Sequence, residues 1–209
     1  MIPEDQLLSA KRLRQAVHLL AKKVIHLDLN SKQLKDVAET LEEKTDELLA
    51  DPAPKWWVAD ASEEKTRSRS YRSRSLFQGE MHPFSPELVW DDYVAANGES
   101  GYQFRVTLSD LYEGPPSAVH GGYIAGLFDE LLGAVQSLDD GDTGYTAKLS
   151  IKYRSFTPVN SELRFQGWIV QSSGRRISVK GQCWEGEKLC AEAEALFLRL
   201  KERASQDNG

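Results

Sequence analysis

The chain has few cysteines and few histidines. It contains two cysteines and four histidines in 209 residues. Cys183 and Cys190 form no CxxC motif, and neither lies at metal-ligand spacing from a histidine. His82 and His120 are the only histidines after residue 30, and they are 38 positions apart. The sequence therefore predicts no metal and no cofactor, and we expect both thiols to be free and reduced.

The chain also lacks long apolar stretches and an excess of basic over acidic residues. No run approaches the roughly 20 apolar residues of a membrane span, and the first residues lack the basic and apolar segments of a secretory signal. The net charge is -6, which argues against general nucleic-acid binding. These features predict a cytoplasmic protein with no membrane span and no nucleic acid as partner.

The first 50 residues have the spacing of two amphipathic helices, so residues 1–50 are predicted to form an N-terminal helical hairpin. Asn30 and Ser31 are candidates for the cap of the second helix. The hairpin is either a cover on the remaining domain or a coiled-coil dimerisation arm. The apolar positions recur three or four residues apart: Val17, Leu20, Val24 and Leu27, then Leu34, Val37, Leu41 and Leu48.

Residues 51–80 are predicted to be a linker. The prolines at Asp51–Pro54 end the second helix, and an Arg/Ser run covers Arg67–Ser75. Alternating arginines are typical of a solvated connector, but they are also suited to binding phosphate groups. Residues 81–203 are predicted to form the main domain, and residues 204–209 are a tail.

The main domain has one apolar helix among strands that alternate in polarity. A strand near Tyr102–Leu108 precedes the helix, and a clean alternation over Tyr145–Arg154 follows it. Three further strands are separated by the turns at Ser172–Arg175 and Gly186–Glu187. If the second turn has two residues, Cys183 and Cys190 lie opposite each other. The alternating alanines 191, 193 and 195 leave room for a helix, so the pattern predicts an α+β fold with an antiparallel sheet wrapped around it.

The helix, predicted over 121–136, contains the candidate site. It is apolar on nearly all sides, which is typical of an enclosed helix, yet it includes Asp129 and Glu130. Gly121 and Gly122 open its N-terminus, where unpaired N–H groups stabilise negative charge. Helix-end donors and a carboxylate facing small residues suit the hydrolysis of an acyl compound by water. Alternatively, the carboxylates pair with Lys148 or Arg154, and the glycines only permit close packing.

Three groups of residues resemble the hotdog-fold acyl-CoA thioesterases, above all the PaaI-like group and the mammalian thioesterase superfamily members. The first group is Glu113–Pro116, Val119–Gly122, Asp129–Glu130 and Gly133; the others are Thr146–Tyr153, and Gly174–Ile177 with Ala191–Glu194. The resemblance covers about residues 80–200. It implies a hotdog fold, obligate homodimers or dimers of dimers with sites at the subunit interface, and a thioester hydrolase without a cofactor.

The resemblance also implies individual roles. Asp129 is the catalytic carboxylate, as general base or nucleophile, and the Gly121 N–H polarises the thioester carbonyl. His120 shapes the site, and the Thr146 hydroxyl orients the attacking water. Substrate-binding positions are Gly122, Glu130 and the CoA-contacting segment Ser173, Gly174, Arg175 and Arg176. Some relatives have an asparagine near the position of Gly114, and this chain does not.

Three alternatives remain open. Glu130 is the rival carboxylate, although it points about 100° away from Asp129 on the helix. His120 has a purely structural role if it only bonds to the backbone at the helix start. The expected substrate is a medium- or long-chain fatty acyl-CoA of lipid metabolism, but a non-catalytic hotdog module that senses acyl-CoA is the second hypothesis. A hotdog dehydratase is disfavoured because no His-plus-Glu arrangement is evident.

Overall fold

The computed structural model describes residues 4–50, 73–139 and 144–199. The chain divides into two compact units, residues 1–85 and 86–209. The predicted tail, Trp56, Trp57 and most of the Arg/Ser run lie outside the described residues. In the described part, no helix has the length and apolar character needed to span a membrane.

The N-terminal unit contains the two predicted helices, α1 (Glu4–His26) and α2 (Ser31–Asp46). The predicted cap is confirmed: the Asn30 side chain accepts from the Gln33 N–H, and the Gln33 side chain accepts from the Asn30 N–H. Together these bonds form a capping box, which satisfies two donors that would otherwise lack a partner. Neither helix has a buried residue.

The second unit is an antiparallel sheet of six strands with one long helix, α3 (Gly121–Gln136). The strand order is β1-β2-β4-β5-β6-β3, so β1 and β3 are the edges. The predicted α+β fold and the predicted bounds of α3 are confirmed. The strands are β1 (Val89–Val94), β2 (Ser100–Thr107), β3 (Gly144–Tyr153), β4 (Glu162–Ser173), β5 (Arg176–Glu185) and β6 (Lys188–Arg199).

Strand β1 is the strand that the sequence did not predict. Asp91 and Asp92 lie in its centre, so the apolar residues around them do not alternate. It pairs with β2, where Arg105 lies 3.7 Å from Asp91. Acidic residues on an edge strand oppose unwanted pairing with another chain, which explains why this strand lacks the usual pattern.

Helix α3 packs closely on the sheet because the sheet has small residues beneath it. Gly167 of β4 pairs with Gly181 of β5, which pairs with Ala193 of β6. A Cβ atom at Gly167 would lie 3.1 Å from side-chain atoms of Leu131, Leu132 and Val135. On the Phe165 side of this row, aromatic rings fill the core. Phe165 contacts the ring of Phe104 at 5.0 Å and that of Phe128 at 5.1 Å between centroids.

The predicted turns have two residues each, but the expected position of the cysteines is wrong. Glu185 pairs with Lys188 around Gly186, which has φ +54°. A register shift next in the ladder then pairs Cys183 with Ala191 instead of Cys190. Both cysteines are free and buried, and burial together with the nearby Cys190 raises the pKa of the Cys183 thiol well above its usual value.

Candidate active site

Helix α3 runs along the edge strand β3, and side chains join the two at three places. The Tyr153 hydroxyl donates to the Gly121 carbonyl at 2.8 Å, and the Thr146 hydroxyl donates to Asp129 Oδ1 at 3.0 Å. Near the other end, the amide of the buried Gln136 bonds to both backbone polar atoms of Gly144. The edge strand therefore contacts the helix at its start, at its carboxylate and at its end.

A bulge in β3 brings Thr146 to Asp129. Strict alternation predicts that Thr146 shares the polar face with Lys148. The register shifts between these two residues, so Ala147 is the extra residue and Thr146 pairs with the buried Phe197. Because paired residues of an antiparallel sheet lie on one face, Thr146 faces α3. The bulge therefore reverses the predicted side of this residue.

One side of α3 is open, so the expectation of a fully enclosed helix is wrong. Gly122 and Asp129 are exposed, whereas Ile124, Leu127 and Phe128 are buried. Gly126 lies between the two exposed residues, one turn from each, and its hydrogen side chain occupies little space. The Asp129 carboxylate therefore lies on the side of the helix that Gly122, Gly126 and Gly133 line. We refer to Gly122, Gly126, Asp129 and Gly133 as the open stripe.

Among the described residues, no lysine or arginine is bonded to Asp129. Its hydrogen bond comes from Thr146, and Arg154, which the alternative interpretation pairs with the helix carboxylates, binds Glu192 with 2.6 Å between Nη2 and Oε2. Glu130 is only partly buried. An exposed carboxylate held by one neutral donor is placed to act as a general base.

The helix start leaves one N–H group available. His120 is the N-cap, and its Nδ1 accepts from the Gly122 N–H at 3.0 Å. The N–H groups of Tyr123 and Ile124 both donate to the His120 carbonyl. Within the described residues, the Gly121 N–H has no acceptor. Because Nδ1 is an acceptor, the neutral His120 ring has its proton on Nε2, which is a second donor.

The two glycines are needed for contacts within the protein, and not only for access by a ligand. A Cβ atom at Gly121 would lie 3.2 Å from the Tyr153 hydroxyl, and one at Gly122 would lie 3.1 Å from His120 Nδ1. Gly114 is similar, because a Cβ there would lie 2.8 Å from the His120 Cα and 3.1 Å from its ring. Gly114 therefore packs directly against His120. It lies near the position at which the resemblance leads us to expect asparagine in some relatives.

The predicted CoA-contacting segment lies at the other end of the helix. Ser173 pairs with Arg176 around a two-residue turn in which Gly174 has φ +56°. Arg199 bonds to the Gly174 carbonyl and to Asp139, which follows the end of α3. Arg175 donates from Nε to the Arg199 carbonyl at 2.9 Å. All four predicted residues of this hairpin turn are exposed, and the bonds of Arg199 hold the turn in place.

One protomer does not bring the predicted donor and carboxylate together. Asp129 is eight residues beyond Gly121 on one helix, which separates them by about 12 Å along the axis and about 80° around it. A donor must lie about 3 Å from the carbonyl oxygen, and an attacking atom about 3 Å from the carbonyl carbon. Among the described residues there is also no group of three potential metal ligands.

Tyr153 and Gln136 are the site residues that sequence reasoning missed. The alternation of polar and apolar residues over Tyr145–Arg154 places Tyr153 on the apolar face of its strand, and only its phenol hydroxyl indicates a polar contact. Gln136 is a polar residue at the end of an apolar helix, and it is 4% exposed. A buried amide needs polar partners, so this glutamine was a usable signal for a backbone contact.

No family model matches the chain. A solved thioesterase superfamily protein is similar to it at 25% identity, covering 90% of this chain and 94% of that chain, with a TM-score of 0.72. Zebra fish thioesterase superfamily member 2 covers 53% of this chain and 81% of its own at 13% identity and a TM-score of 0.48. A Streptococcus mutans protein bound to acetyl CoA is similar over 56% of this chain and 92% of its own, at 19% identity and also with a TM-score of 0.48.

The first of these structures extends the likeness beyond the motifs. The match covers 90% of this chain, whereas residues 86–209 alone make up a much smaller share of it. The matched region therefore extends into the N-terminal unit. The motif resemblance began only near residue 80. The chain has the hotdog fold of the thioesterase superfamily, and the resemblance that its motifs indicate is confirmed.

Proposed function

We propose that the protein is an acyl-CoA thioesterase that hydrolyses a fatty acyl-CoA to a free acid and CoA. The observation that carries this proposal is the Thr146–Asp129 hydrogen bond at the open stripe of α3. It holds an exposed carboxylate on the glycine-lined side of the helix. The likeness to a thioesterase superfamily protein at a TM-score of 0.72 supports the same activity.

In the reaction, Asp129 takes a proton from water, and the resulting hydroxide adds to the thioester carbon. The Gly121 N–H stabilises the negative charge that develops on the carbonyl oxygen. The carbon–sulfur bond then breaks, and the CoA sulfur takes the proton from Asp129. Because Thr146 occupies Oδ1, Oδ2 is the oxygen that faces the water. Direct attack by Oδ2, followed by hydrolysis of the anhydride, is the second route.

We further propose that each site combines Gly121 of one subunit with Asp129 of another. The 12 Å between them on one helix is too long for one carbonyl. Two antiparallel α3 helices related by a twofold axis near Ala125 and Gly126 bring each donor beside the other subunit's carboxylate. The small residues of the open stripe allow that close approach, and β3 is an unpaired edge. A dimer is the smallest such assembly, and a dimer of dimers contains the same pair.

The same pairing gives the hairpin arginines a role. Arg175 and Arg176 lie at the end of α3 remote from the Gly121 of their own subunit. In an antiparallel pair, that end lies near the donor end of the partner helix. We propose that Arg175 and Arg176 bind the CoA phosphates, with Ser173 and Gly174 shaping the turn. The cytoplasm and lipid metabolism remain the proposed setting.

Release of free thiol from a panel of acyl-CoA esters tests the proposal. We expect hydrolysis by the wild type, and a loss of at least about 100-fold in kcat for Asp129→Asn because a general base is removed. Asp92→Asn, which changes an exposed aspartate of the edge strand β1, is the matched control. An equal loss in Glu130→Gln would transfer the role to Glu130.

The second candidate function is an acyl-CoA sensor. It is favoured by the exposed apolar residues of α1 and α2, including Leu8, Leu13 and Leu41, which suit contact with a partner protein. Calorimetry with acyl-CoA separates the two functions. Binding without any thiol release by the wild type would support the sensor and exclude the enzyme.

A further inference from the structure

We propose that Tyr153 is a positioning residue that fixes the Gly121–Gly122 peptide and, through it, the direction of the Gly121 N–H. This inference rests on the proposed function, because it concerns the donor that polarises the thioester. Tyr153 does not touch the reacting atoms. It acts through the backbone at the start of α3.

The contacts of a single peptide group carry the inference. The carbonyl of Gly121 accepts from the Tyr153 hydroxyl at 2.8 Å. The N–H of the same peptide belongs to Gly122 and donates to His120 Nδ1 at 3.0 Å. Both polar atoms of this peptide are therefore bound to side chains, which prevents its rotation.

The neighbouring peptide is the one that has the free donor. The Gly121 N–H is joined to the fixed peptide through the Gly121 Cα, so its direction relative to that peptide depends only on the φ and ψ angles of Gly121. Glycine is otherwise the residue with the greatest backbone freedom. The His120 carbonyl on the donor's own peptide is held by the N–H groups of Tyr123 and Ile124. The Tyr153 contact adds a restraint on the Gly121 side of the donor, where two successive glycines otherwise allow more variation.

The Tyr153 ring also restricts this region by contact. A Cβ at Gly121 would lie 3.2 Å from the hydroxyl oxygen and 3.3 Å from Cζ of Tyr153. The tyrosine therefore lies directly over the glycine, in the place where a side chain would be. A side chain at position 121 would therefore require the tyrosine to shift by a few tenths of an ångström.

Strand β3 also holds the carboxylate, two turns further along the helix. Thr146 on β3 binds the Asp129 carboxylate, and Tyr153 on β3 binds the donor turn. One edge strand thus holds two groups that act on thioesters. In the proposed dimer they belong to different sites, because they lie about 12 Å apart on the helix. A shift of β3 is expected to affect donor and carboxylate together.

Tyr153→Phe tests the proposal because it removes the hydroxyl and retains the ring. We expect kcat to fall about tenfold, which corresponds to roughly 1.4 kcal/mol, with KM within about twofold, because an oriented donor acts mainly in the transition state. Tyr145→Phe is the matched control. Tyr145 is on the same strand, 69% exposed, and makes no hydrogen bond through its hydroxyl in the described residues.

Hydrogen exchange at the Gly122 amide, followed by NMR, gives a second readout that does not need activity. We expect faster exchange in Tyr153→Phe than in the wild type and Tyr145→Phe. An active wild type with unchanged kcat or unchanged Gly122 exchange in Tyr153→Phe would overturn the positioning role. A wild type without hydrolysis would instead overturn the proposed function, while the exchange rate would still decide whether Tyr153 fixes the peptide.

Discussion

Removal of the single free N–H at the start of α3 is the sharpest test of the proposed oxyanion donor. Gly121→Pro removes this group, because proline has no backbone N–H. Gly121 is the first helical residue, a position that proline favours. His120 already has φ -58° and ψ 129°, which suits the residue before a proline. No backbone hydrogen bond within the described residues is lost.

Gly121→Ala is the matched control because it adds a Cβ and keeps the N–H. That Cβ would lie 3.2 Å from the hydroxyl at the end of the Tyr153 side chain, which is 56% exposed and can move by a few tenths of an ångström. We therefore expect Gly121→Ala to lose less than about tenfold in kcat. Loss of an oxyanion donor costs about 100- to 1000-fold, or roughly 2.7–4 kcal/mol, and we expect this for Gly121→Pro.

Free-thiol release at saturating acyl-CoA measures kcat for both variants. Circular dichroism and thermal unfolding verify that each variant is folded. Equal kcat values for folded Gly121→Pro and Gly121→Ala would refute the reasoning, because the N–H would then have no part in the reaction. A large loss in Gly121→Pro alone assigns the donor to this one backbone group.

Three further predictions concern the carboxylate, the core and the thiols. Thr146→Val removes the donor to Asp129 at constant shape, and we expect kcat to fall about tenfold with little change in thermal stability. An unchanged kcat would exclude a role for this hydroxyl. Gly167→Ala places a methyl group against α3, and chemical denaturation is expected to show a loss of about 1–3 kcal/mol in the free energy of unfolding. An unaltered stability would contradict the close packing. Cys183 is buried with a raised pKa, so thiol reagents are expected to modify it only after unfolding, and rapid labelling of the native protein would count against its burial.

The fold was largely predictable because its elements have regular patterns. The apolar helix 121–136 and the alternating strand after it have clear patterns, and their predicted bounds agree with the structure to within one residue. Strand β1 was missed because Asp91 and Asp92 interrupt its pattern. The partners of the two cysteines were missed because a register shift between Cys183 and Trp184 depends on sheet geometry that periodicity does not contain.

The site was predictable in its residue types and less so in its contacts. The motifs identified Asp129, Thr146 and the helix start, and the Thr146–Asp129 contact is present. Polarity alone placed Thr146 on the opposite face, since the bulge at Ala147 does not follow from alternation. The roles assigned to these residues stay predictions. The contacts of Tyr153 and Arg199 link distant parts of the chain, so the local pattern could not reveal them.

The central claim is that donor and carboxylate act from different subunits, and subunit mixing tests it most directly. We expect the Asp129→Asn and Gly121→Pro variants to be nearly inactive when each is refolded alone. In the test, the two variants are mixed in equal amounts, unfolded and refolded together. Half of the resulting dimers contain one copy of each, and one of their two sites has both groups intact. We predict recovery of about one quarter of the wild-type activity. Activity no higher than that of the separately refolded variants would contradict a shared site.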